Sequence, residues 1–486
     1  MSNTNIRILF FTVLICVICA TRASRRDWVL LDALHRIERE SFYATRDKSK
    51  FADSLVESAI NGMTDFLNNS GDKYAQYIPD KLMHEFQNEL SSRYEGIGVM
   101  LQPNEANHTY TILFAYPNSP AWNVGLRHGD TILAVDGVEI NEENFSDITT
   151  HVRGKPNTEV KLKILKAGKT EPHEIAVKRA SLQSKTVCGD TITADGVICF
   201  TLETEPTIAY LNMQSSFIET TAGEMQDAIK SLPANVRGMI IDLRNNPGGY
   251  LDSCVAITNM FVKPNDNFTD IVTTRNRNKQ IRSRFTASEK TLFDLPMAVL
   301  LNDNSASASE IMAAALQDFG RAKIIGTRSY GKGIVQEMFF LPRGYGIIKL
   351  TNSSYWRPSG KNIQRIDGTE NGWGVMPDED GTVEVTEDQR LLTDFIRRCR
   401  SLTPDVDTEE MLQLAMQNMK IIKAQKQKEE QDKKDVENKK GEQKEDEKEK
   451  EEQAKTEPFT PQGNSPYYDP QLDHAVIELK KMIGEE

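Results

Sequence analysis

Two short segments of the sequence contain side chains that a hydrolytic reaction would need. The first is the serine-rich run Ser305–Glu310 (Ser-Ala-Ser-Ala-Ser-Glu), and the second is the Gly-Lys-Gly turn centred on Lys332. The seven histidines of the chain all lie outside residues 174–473. A serine nucleophile in this region would therefore need another base. A buried lysine can serve, because desolvation disfavours its charged form. The pattern predicts a serine hydrolase with a lysine base.

The serine run also has a purely structural interpretation. Ser307 and Glu310 have the Ser-x-x-Glu spacing of a capping box ahead of the apolar helical residues 311–316. The same helix start would offer free N–H groups and a positive dipole end to a developing oxyanion. The buried strand predicted at 297–301 would carry the run to the carboxyl edge of a sheet, where ligands bind. Taken alone, the run favours helix capping over catalysis.

The lysine turn has alternatives of its own. Gly326, Gly331 and Lys332 match a phosphate-binding loop up to its last position, where Gly333 replaces the Ser or Thr that binds magnesium. Residues 334–340 also have a strand pattern, whereas that loop requires a helix. Nucleotide binding is therefore disfavoured. A surface lysine in a glycine turn remains the structural alternative.

A third turn follows another predicted buried strand, 238–243. It runs from Asp242 through Arg-Asn-Asn-Pro to Gly248 and Gly249 and leads into a helix. Adjacent glycines let a backbone approach a ligand and direct its amides into a site. For this segment alone, a tight strand-to-helix turn is the favoured interpretation. Three such turns in one region of alternating strands and helices fit a single site.

The wider organisation is read from composition and periodicity. Residues 1–23 have the basic start, apolar run and small residues of a secretory signal, with an uncleaved membrane anchor as the alternative. Residues 24–92 have helical spacing, and 93–181 have short alternating strands. Strands alternate with helices in 182–400, which predicts an α/β fold with a largely parallel sheet. The extension 401–486 contains a segment, 423–456, of nearly balanced charge, for which a solvated helix or disorder is expected.

The overall charge and the cysteines exclude several classes of partner and site. A net charge of −12 disfavours nucleic acid as a partner. Four cysteines follow the predicted signal, at positions 188, 199, 254 and 399, and their spacing suggests no metal site. A Cys188–Cys199 disulfide across a hairpin and ordinary buried thiols both remain open. We expect no metal and no cofactor.

The ordered motifs together resemble the carboxyl-terminal processing (tail-specific) serine proteases, which have a PDZ domain and a ClpP/crotonase-like α/β core. The resemblance covers roughly residues 30–385. It rests on the motifs at 94–98 (Tyr-Glu-Gly-Ile-Gly), 119–130, 242–249, 305–310, 330–336, 355–360 and 375–378. The implied fold is a multidomain α/β protein with an inserted β-rich PDZ domain, a helical N-terminal region and a charged C-terminal extension.

The resemblance also implies roles for individual residues. Ser307 would be the nucleophile and Lys332 the general base, with Gln336 orienting the lysine. The oxyanion hole would be formed by the amide of Ala308 together with that of Gly248 or Gly249. The last choice is left open by the sequence. In the PDZ domain, the implied peptide-binding residues are Gly96, Ile97, Gly98 and Arg153.

The resemblance also implies a class of substrate, and the helical ends and the signal add expectations about assembly and location. Protein substrates with apolar, disordered C-terminal tails are expected, bound by strand addition to the PDZ domain. A homodimer through the helical ends and a secreted, periplasmic location are further expectations, with membrane contact only through an uncleaved signal. The alternatives are a non-catalytic PDZ scaffold that binds tails and an acyl-CoA enzyme of the same core architecture.

Overall fold

The computed structural model describes residues 25–41, 47–104, 107–145, 147–213, 215–366, 368–404, 409–420, 422–423, 460–462 and 466–485. The predicted signal at 1–23 and nearly all of the predicted charged segment at 423–456 lie outside these residues. Within them, no helix is both long and apolar enough to cross a membrane. The chain forms two compact units. The first combines 1–86 with 336–352, and the second combines 87–335 with 353–486.

The helices and strands are numbered here in chain order. The α-helices are α1 (Arg25–Glu40), α2 (Lys48–Asn69), α3 (Met83–Leu90), α4 (Pro120–Asn123), α5 (Ile148–Val152), α6 (Thr221–Ser231), α7 (Leu251–Thr258), α8 (Ala308–Asp318), α9 (Glu387–Leu402), α10 (409–420) and α11 (Pro470–Met482). The strands of the first half are β1 (Gln76–Ile78), β2 (Arg93–Gly96), β3 (Val99–Asn104), β4 (Thr109–Ala115), β5 (Thr131–Val135), β6 (Val138–Glu139), β7 (Glu159–Leu165), β8 (His173–Lys178) and β9 (Ala180–Gln183). Those of the second half are β10 (Thr191–Ile192), β11 (Ile198–Cys199), β12 (Ile208–Asn212), β13 (Gly238–Asp242), β14 (Asp270–Arg275), β15 (Ile281–Thr286), β16 (Met297–Leu301), β17 (Lys323–Gly326), β18 (Ile334–Phe340) and β19 (Ile347–Trp356). Short 3₁₀ turns lie at Asp80–Leu82 and Pro342–Gly344.

The first unit contains the predicted N-terminal helices and one pairing that sequence did not predict. Strand β1 pairs antiparallel with the start of β19, with Gln76 opposite Lys349. Residues 336–352, which the sequence assigned to the 182–400 region, therefore group with the N-terminal helices. Pairing between strands so far apart in the chain leaves no local pattern in either strand.

The second unit begins with a β-rich module that matches the pattern read from residues 93–181. Six strands form one sheet in the order β3-β4-β5-β7-β8, with β6 paired to β5. In β7 the buried side chains alternate, as a strand with one face on a core requires. Val160, Leu162 and Ile164 are fully buried there. The core of this module therefore lies on one face of β7.

The rest of the second unit has the predicted parallel sheet, in the order β12-β13-β16-β17. All residues of β12, β13 and β16 are buried, because helices cover both faces. One face packs on a core that includes Met225, Ile257 and Met312 from α6, α7 and α8. The other face packs on Leu472, Ala475 and Leu479 of α11.

This strand order brings the three predicted turns together. β13, β16 and β17 are neighbours in the sheet and run parallel. The turns at 245–249, 302–307 and 327–333 each follow the carboxyl end of one of these strands. The carboxyl ends of neighbouring parallel strands meet at one edge of a sheet, where open α/β sheets bind ligands. The structure therefore places all three turns at one edge of the parallel sheet.

The four cysteines of the described residues are all free thiols. The main chain of Cys188 pairs antiparallel with that of Asn212, whereas the main chain of Cys199 pairs with that of Thr191 in the short β10–β11 hairpin. The hairpin therefore forms without a Cys188–Cys199 disulfide, and the thiol alternative is the one observed.

Candidate active site

The turn between β16 and α8 places Ser307 at the helix N-terminus in an unusual conformation. Ser307 has φ +55° and ψ −113°, outside the regions that a serine normally occupies. Its side chain is largely buried, with 8% of the residue exposed. Hydrogen bonds of the preceding residues keep the main chain in this strained conformation. The Ala306 N–H donates to Asn246 O at 3.0 Å, and Ser305 Oγ donates to Leu243 O at 2.8 Å. Strained residues held in this way are frequent at active sites.

Lys332 lies on the adjacent turn, between Gly331 and Gly333. Any other residue at either glycine position would force neighbouring atoms to move. A Cβ on Gly331 would lie 2.8 Å from the ring of Trp373, and Gly331 has φ +85°. A Cβ on Gly333 would lie 2.4 Å from the main-chain nitrogen of Gln364. Both glycines are buried and Lys332 is half-buried. The lysine is therefore held in a closely packed turn, unlike the exposed surface lysine of the structural alternative.

A single buried carboxylate links the two turns. Glu310 Oε2 accepts the N–H of Ser307 at 2.9 Å and the N–H of Lys332 at 2.8 Å. Its Oε1 accepts the N–H of Gly331 and the hydroxyl of Ser329, both at 2.6 Å. Burial raises the pKa of Glu310, and these hydrogen bonds oppose that rise. Sequence reasoning gave Glu310 only a capping role. The structure shows that it also holds the lysine turn against the serine turn.

The glycine turn after β13 lies directly against Ser307. A Cβ on Gly248 would lie 2.8 Å from both Ser307 Cβ and Ala308 N. The Gly248 N–H donates to Asn246 Oδ1 at 2.9 Å. Within the part of the chain that the structure describes, the Gly249 N–H makes no hydrogen bond. Ala308 begins α8, where an N–H has no acceptor within the helix. Main-chain amides of both turns are therefore grouped beside the serine.

Tyr355 is a neighbour of Ser307 that sequence reasoning missed. Its hydroxyl lies near the Ser307 side chain. Burial raises the pKa of the Tyr355 phenol to about 12, although the nearby Ser307 hydroxyl acts in the opposite direction. The phenol is therefore neutral at ordinary pH. The pairing of β19 with β14, with Tyr355 opposite Thr274, brings it there. The sequence contains the motif that starts at Tyr355, but no local signal relates it to the serine.

A buried cluster of charged side chains lies at the end of β13, where the glycine turn begins. Asp242, fully buried at the end of β13, accepts Arg244 Nη2 and Arg397 Nη1, both at 2.7 Å. Burial alone would raise the pKa of Asp242, but the charges of Arg244 and Arg397 outweigh it and hold this pKa well below its ordinary value. The Tyr210 hydroxyl also donates to Asp242 at 2.7 Å. The end of β13 is therefore fixed by charged groups that sequence reasoning did not assign.

Gln336, predicted to orient the lysine, belongs to the first compact unit. There its Nε2 donates to Thr351 Oγ1 at 3.3 Å, and Thr351 Oγ1 donates to Asp72 Oδ1 at 2.7 Å. These contacts give the amide a defined position within that unit. The role of Gln336 towards Lys332 stays a prediction.

The four predicted peptide-binding residues are grouped in the β-rich module. Gly98 has φ +83°, and a Cβ there would lie 2.4 Å from Ser119 Cβ. The carbonyls of Ile97 and Gly98 accept the N–H groups of Ala121 and Tyr116, both at 2.9 Å. Among the described residues, neither the Ile97 N–H nor the Gly98 N–H has an acceptor. Arg153 is exposed, with its Cα and Cγ 3.9 Å from where a Cβ on Gly96 would be.

Comparisons with known proteins match two regions of the chain. Residues 207–380 match the model of peptidase family S41, and residues 112–166 match a PDZ domain model. A carboxy-terminal-processing protease of Bartonella bacilliformis is 33% identical over 330 residues, which cover 67% of this chain and 69% of that protein. A probable CtpA-like serine protease of Staphylococcus saprophyticus is 30% identical over 345 residues, which cover 70% of this chain and 64% of that protein.

Among solved structures, a photosystem II D1 C-terminal processing protease is similar to this chain with a TM-score of 0.41 and 21% sequence identity. The similarity covers 79% of this chain and 99% of that one.

Proposed function

The chain belongs to the carboxy-terminal-processing proteases of peptidase family S41 that carry a PDZ domain, and on this premise we propose that it is a serine endopeptidase with a Ser307–Lys332 dyad. One observation carries the proposal. The main chains of Ser307 and Lys332 donate to the same oxygen of Glu310, at 2.9 and 2.8 Å. Residues 25 positions apart in the chain are thus held beside each other on neighbouring turns. The parallel sheet beneath them fits the proposed ClpP/crotonase-like core.

The proposed reaction divides the work between the two side chains. Lys332, in its neutral form, takes the proton from Ser307 Oγ as that oxygen attacks the scissile carbonyl carbon. The protonated lysine then gives the proton to the leaving amine, so that an acyl-enzyme forms on Ser307. Water, deprotonated by the same lysine, hydrolyses the ester and regenerates the serine. No step requires a metal ion or another cofactor.

The carbonyl oxygen becomes an oxyanion during the attack, and preorganised amides stabilise it. We propose that Ala308 supplies one donor and the glycine turn the other. Gly249 is favoured over Gly248 as the second donor, because the Gly248 N–H already donates to Asn246 at 2.9 Å. The positive end of the α8 dipole adds to this stabilisation.

The PDZ domain suggests how a substrate is chosen. We propose that an extended C-terminal tail adds to the edge of the β-rich sheet and that its carboxylate accepts the amides of Ile97 and Gly98. Arg153 lies beside this loop and would add a positive charge for the same carboxylate. An apolar tail is what the family resemblance implies. We also propose that residues 1–23 direct export of the chain. These residues lie outside the part of the chain that the structure describes.

The test is cleavage of casein, a disordered protein, by the full chain without added metal or nucleotide. Parent activity should be lost in Ser307→Ala and in Lys332→Ala. Two matched controls, Ser231→Ala on α6 and the exposed Lys290→Ala, should retain it. Circular dichroism establishes that all four variants are folded. Activity that survives in either dyad variant would refute the dyad.

A second experiment separates the protease from the alternative of a non-catalytic scaffold and tests tail recognition. Two peptides of one apolar sequence, ending in a free carboxylate or in an amide, are compared by binding and by cleavage. The free carboxylate should bind more tightly, and Arg153→Ala should reduce that difference. A chain that binds the carboxylate peptide but never cleaves any substrate would be a scaffold.

A further inference from the structure

The glycine turn beside Ser307 is anchored by one buried arginine. Arg244 lies between the end of β13 and the turn residues Asn245–Gly249, and only 5% of it is exposed. Its Nε and Nη2 donate to the two oxygens of Asp242, at 3.0 and 2.7 Å. These bonds use one side of the planar guanidinium group. They tie the start of the turn to the strand that precedes it.

The other side of the same guanidinium contacts the C-terminal segment of the chain. Nη1 and Nη2 of Arg244 donate to Oδ1 and Oδ2 of Asp469, at 2.9 and 2.7 Å. Nη1 also donates to Gln471 Oε1 at 3.1 Å. Asp469 and Gln471 are buried, with 4% and 2% of each residue exposed. Such two-point pairs fix the plane and position of an arginine as well as its charge.

Asp469 is itself held in place from two directions. Its carboxylate accepts the Leu472 N–H at 3.1 Å and so caps helix α11. Helix α11 packs Leu472, Ala475 and Leu479 onto the parallel sheet. Gln471 donates its Nε2 to Val383 O at 2.8 Å. The position of the Arg244 partner is therefore set at the N-terminal end of α11, by the cap and by the bond from Gln471 to Val383.

A shift of Arg244 would reach the nucleophile through the turn that follows it. The Asn246 carbonyl accepts the N–H of Ala306 and the hydroxyl of Ser309, both at 3.0 Å. The Asn246 side chain accepts the Gly248 N–H at 2.9 Å. The residues on both sides of Ser307 are thus bonded to the turn that Arg244 anchors. Removal of the Asp469 carboxylate would therefore shift the main-chain amides of the turn.

We propose that Asp469 and Gln471 are positioning residues, which hold the 245–249 turn in the geometry of the oxyanion hole through Arg244. The C-terminal segment would then be part of the active site, although it is 162 positions beyond Ser307 in the chain. This inference rests on the proposed protease function. Asp469 does not touch substrate; it acts on catalysis only through the arginine.

The test uses the full chain and compares variants on α11 and its N-cap. Asp469→Asn keeps the shape but turns one acceptor into a donor facing the guanidinium. It should lower kcat at least tenfold and leave KM within twofold, because substrate binding at the PDZ domain is untouched. Leu479→Ala is the matched control. It destabilises the docking of the same helix without removing an Arg244 partner, and should keep the parent kcat well below its Tm.

Two further variants cover partial function and failure to fold. Asp469→Glu restores the charge and should recover part of the kcat lost in the Asn variant. Gln471→Met removes one acceptor of Arg244 and the donor to Val383 O but keeps the ion pair. It should fold even if Asp469→Asn does not, with a smaller kcat loss of about threefold. A parent kcat in both Gln471→Met and folded Asp469→Asn would overturn the inference. Equal losses in Asp469→Asn and Leu479→Ala would also overturn it, because they would indicate general destabilisation.

Hydrogen exchange gives a readout that does not depend on activity. Amides of the peptide spanning 243–250 should exchange faster in Asp469→Asn than in Leu479→Ala or the parent. If the parent itself cleaves nothing, the proposed protease function fails, and exchange still decides whether Asp469 orders the turn. Unchanged exchange in this peptide would refute the positioning role even if the protease function holds.

Discussion

Replacing Glu310 by glutamine tests the link between the serine and lysine turns most directly. All four partners of Glu310 are donors, namely the N–H groups of Ser307, Gly331 and Lys332 and the Ser329 hydroxyl. A glutamine of the same shape can offer only one oxygen. Its NH₂ group would face two of these donors whichever way the amide is turned.

The expected magnitude follows from the bonds that are lost. Two hydrogen bonds to a buried charged group disappear, each with a net contribution of about 1.5–3 kcal/mol. The free energy of unfolding should therefore fall by about 3–6 kcal/mol, a large part of the total for a typical domain. In the variant that remains folded, one turn must move away from the new NH₂ group. Displacement of a catalytic group by about 1 Å costs roughly a hundredfold in rate.

The assay is kcat/KM on a disordered substrate, with chemical denaturation as the measure of stability. Glu310→Gln should lose about a hundredfold or more in kcat/KM. The matched control is Glu224→Gln, since Glu224 also accepts several donors, among them the N–H groups of Thr186 and Val187 at 2.8 and 3.1 Å. The control should lose stability and keep its activity while folded. A folded Glu310→Gln with activity near that of the parent would refute the reasoning.

Three further predictions concern the fold around the site. Gly249→Ala should abolish activity and lower the Tm, because the new Cβ would lie 2.1 Å from a main-chain oxygen. The control is Gly223→Ala, whose Cβ would have no atom within 4 Å. It should raise the free energy of unfolding by about 1 kcal/mol. Burial raises the pKa of the Cys254 thiol to about 12, so iodoacetamide at pH 8 should modify Cys254 only after unfolding; labelling of the folded chain there would contradict this. Hydrogen bonds from Lys323 and Lys481 lower the pKa of Glu478 from 4.5 to about 2, so its contribution to stability is present above pH 4.5 and is lost as the pH falls towards 2. Glu478→Gln should therefore be less stable than the parent at pH 7 and equal to it near pH 2 in urea melts, and a difference that persists at pH 2 would contradict the assignment.

Local patterns were sufficient for the elements that carry the site. Strands β13 and β16 are apolar in almost every position. A strand that is buried on both faces has a continuous apolar run, which can be recognised without knowing which strands it pairs with. The glycines at 248 and 249 predicted a close approach, and both have a positive φ with Cβ positions blocked by neighbouring main chain. The family resemblance drawn from these motifs is confirmed.

Pairings between distant segments were not predictable in the same way. Tyr355 reaches Ser307 only because β19 pairs with β14, and residues 336–352 join the first unit because β19 also pairs with β1. The preference between Gly248 and Gly249 depends on which amide Asn246 already occupies. Each of these contacts is decided by strand order or by a single side-chain rotamer, and neither leaves a periodic signal in the sequence.

The sequence by itself therefore determined the residue types of the candidate site and the local elements of this protein: a serine-rich turn, a lysine between two glycines, a parallel sheet and a β-rich module. Residue type and periodicity carry that information, because they act over a few neighbouring positions. Only the tertiary structure decided how the parts are held together. Glu310 joins two turns, and Asp469 reaches Arg244 across 225 positions of the chain. Such contacts depend on the packing of whole elements, since a buried charge is stable only where the fold brings a partner to it.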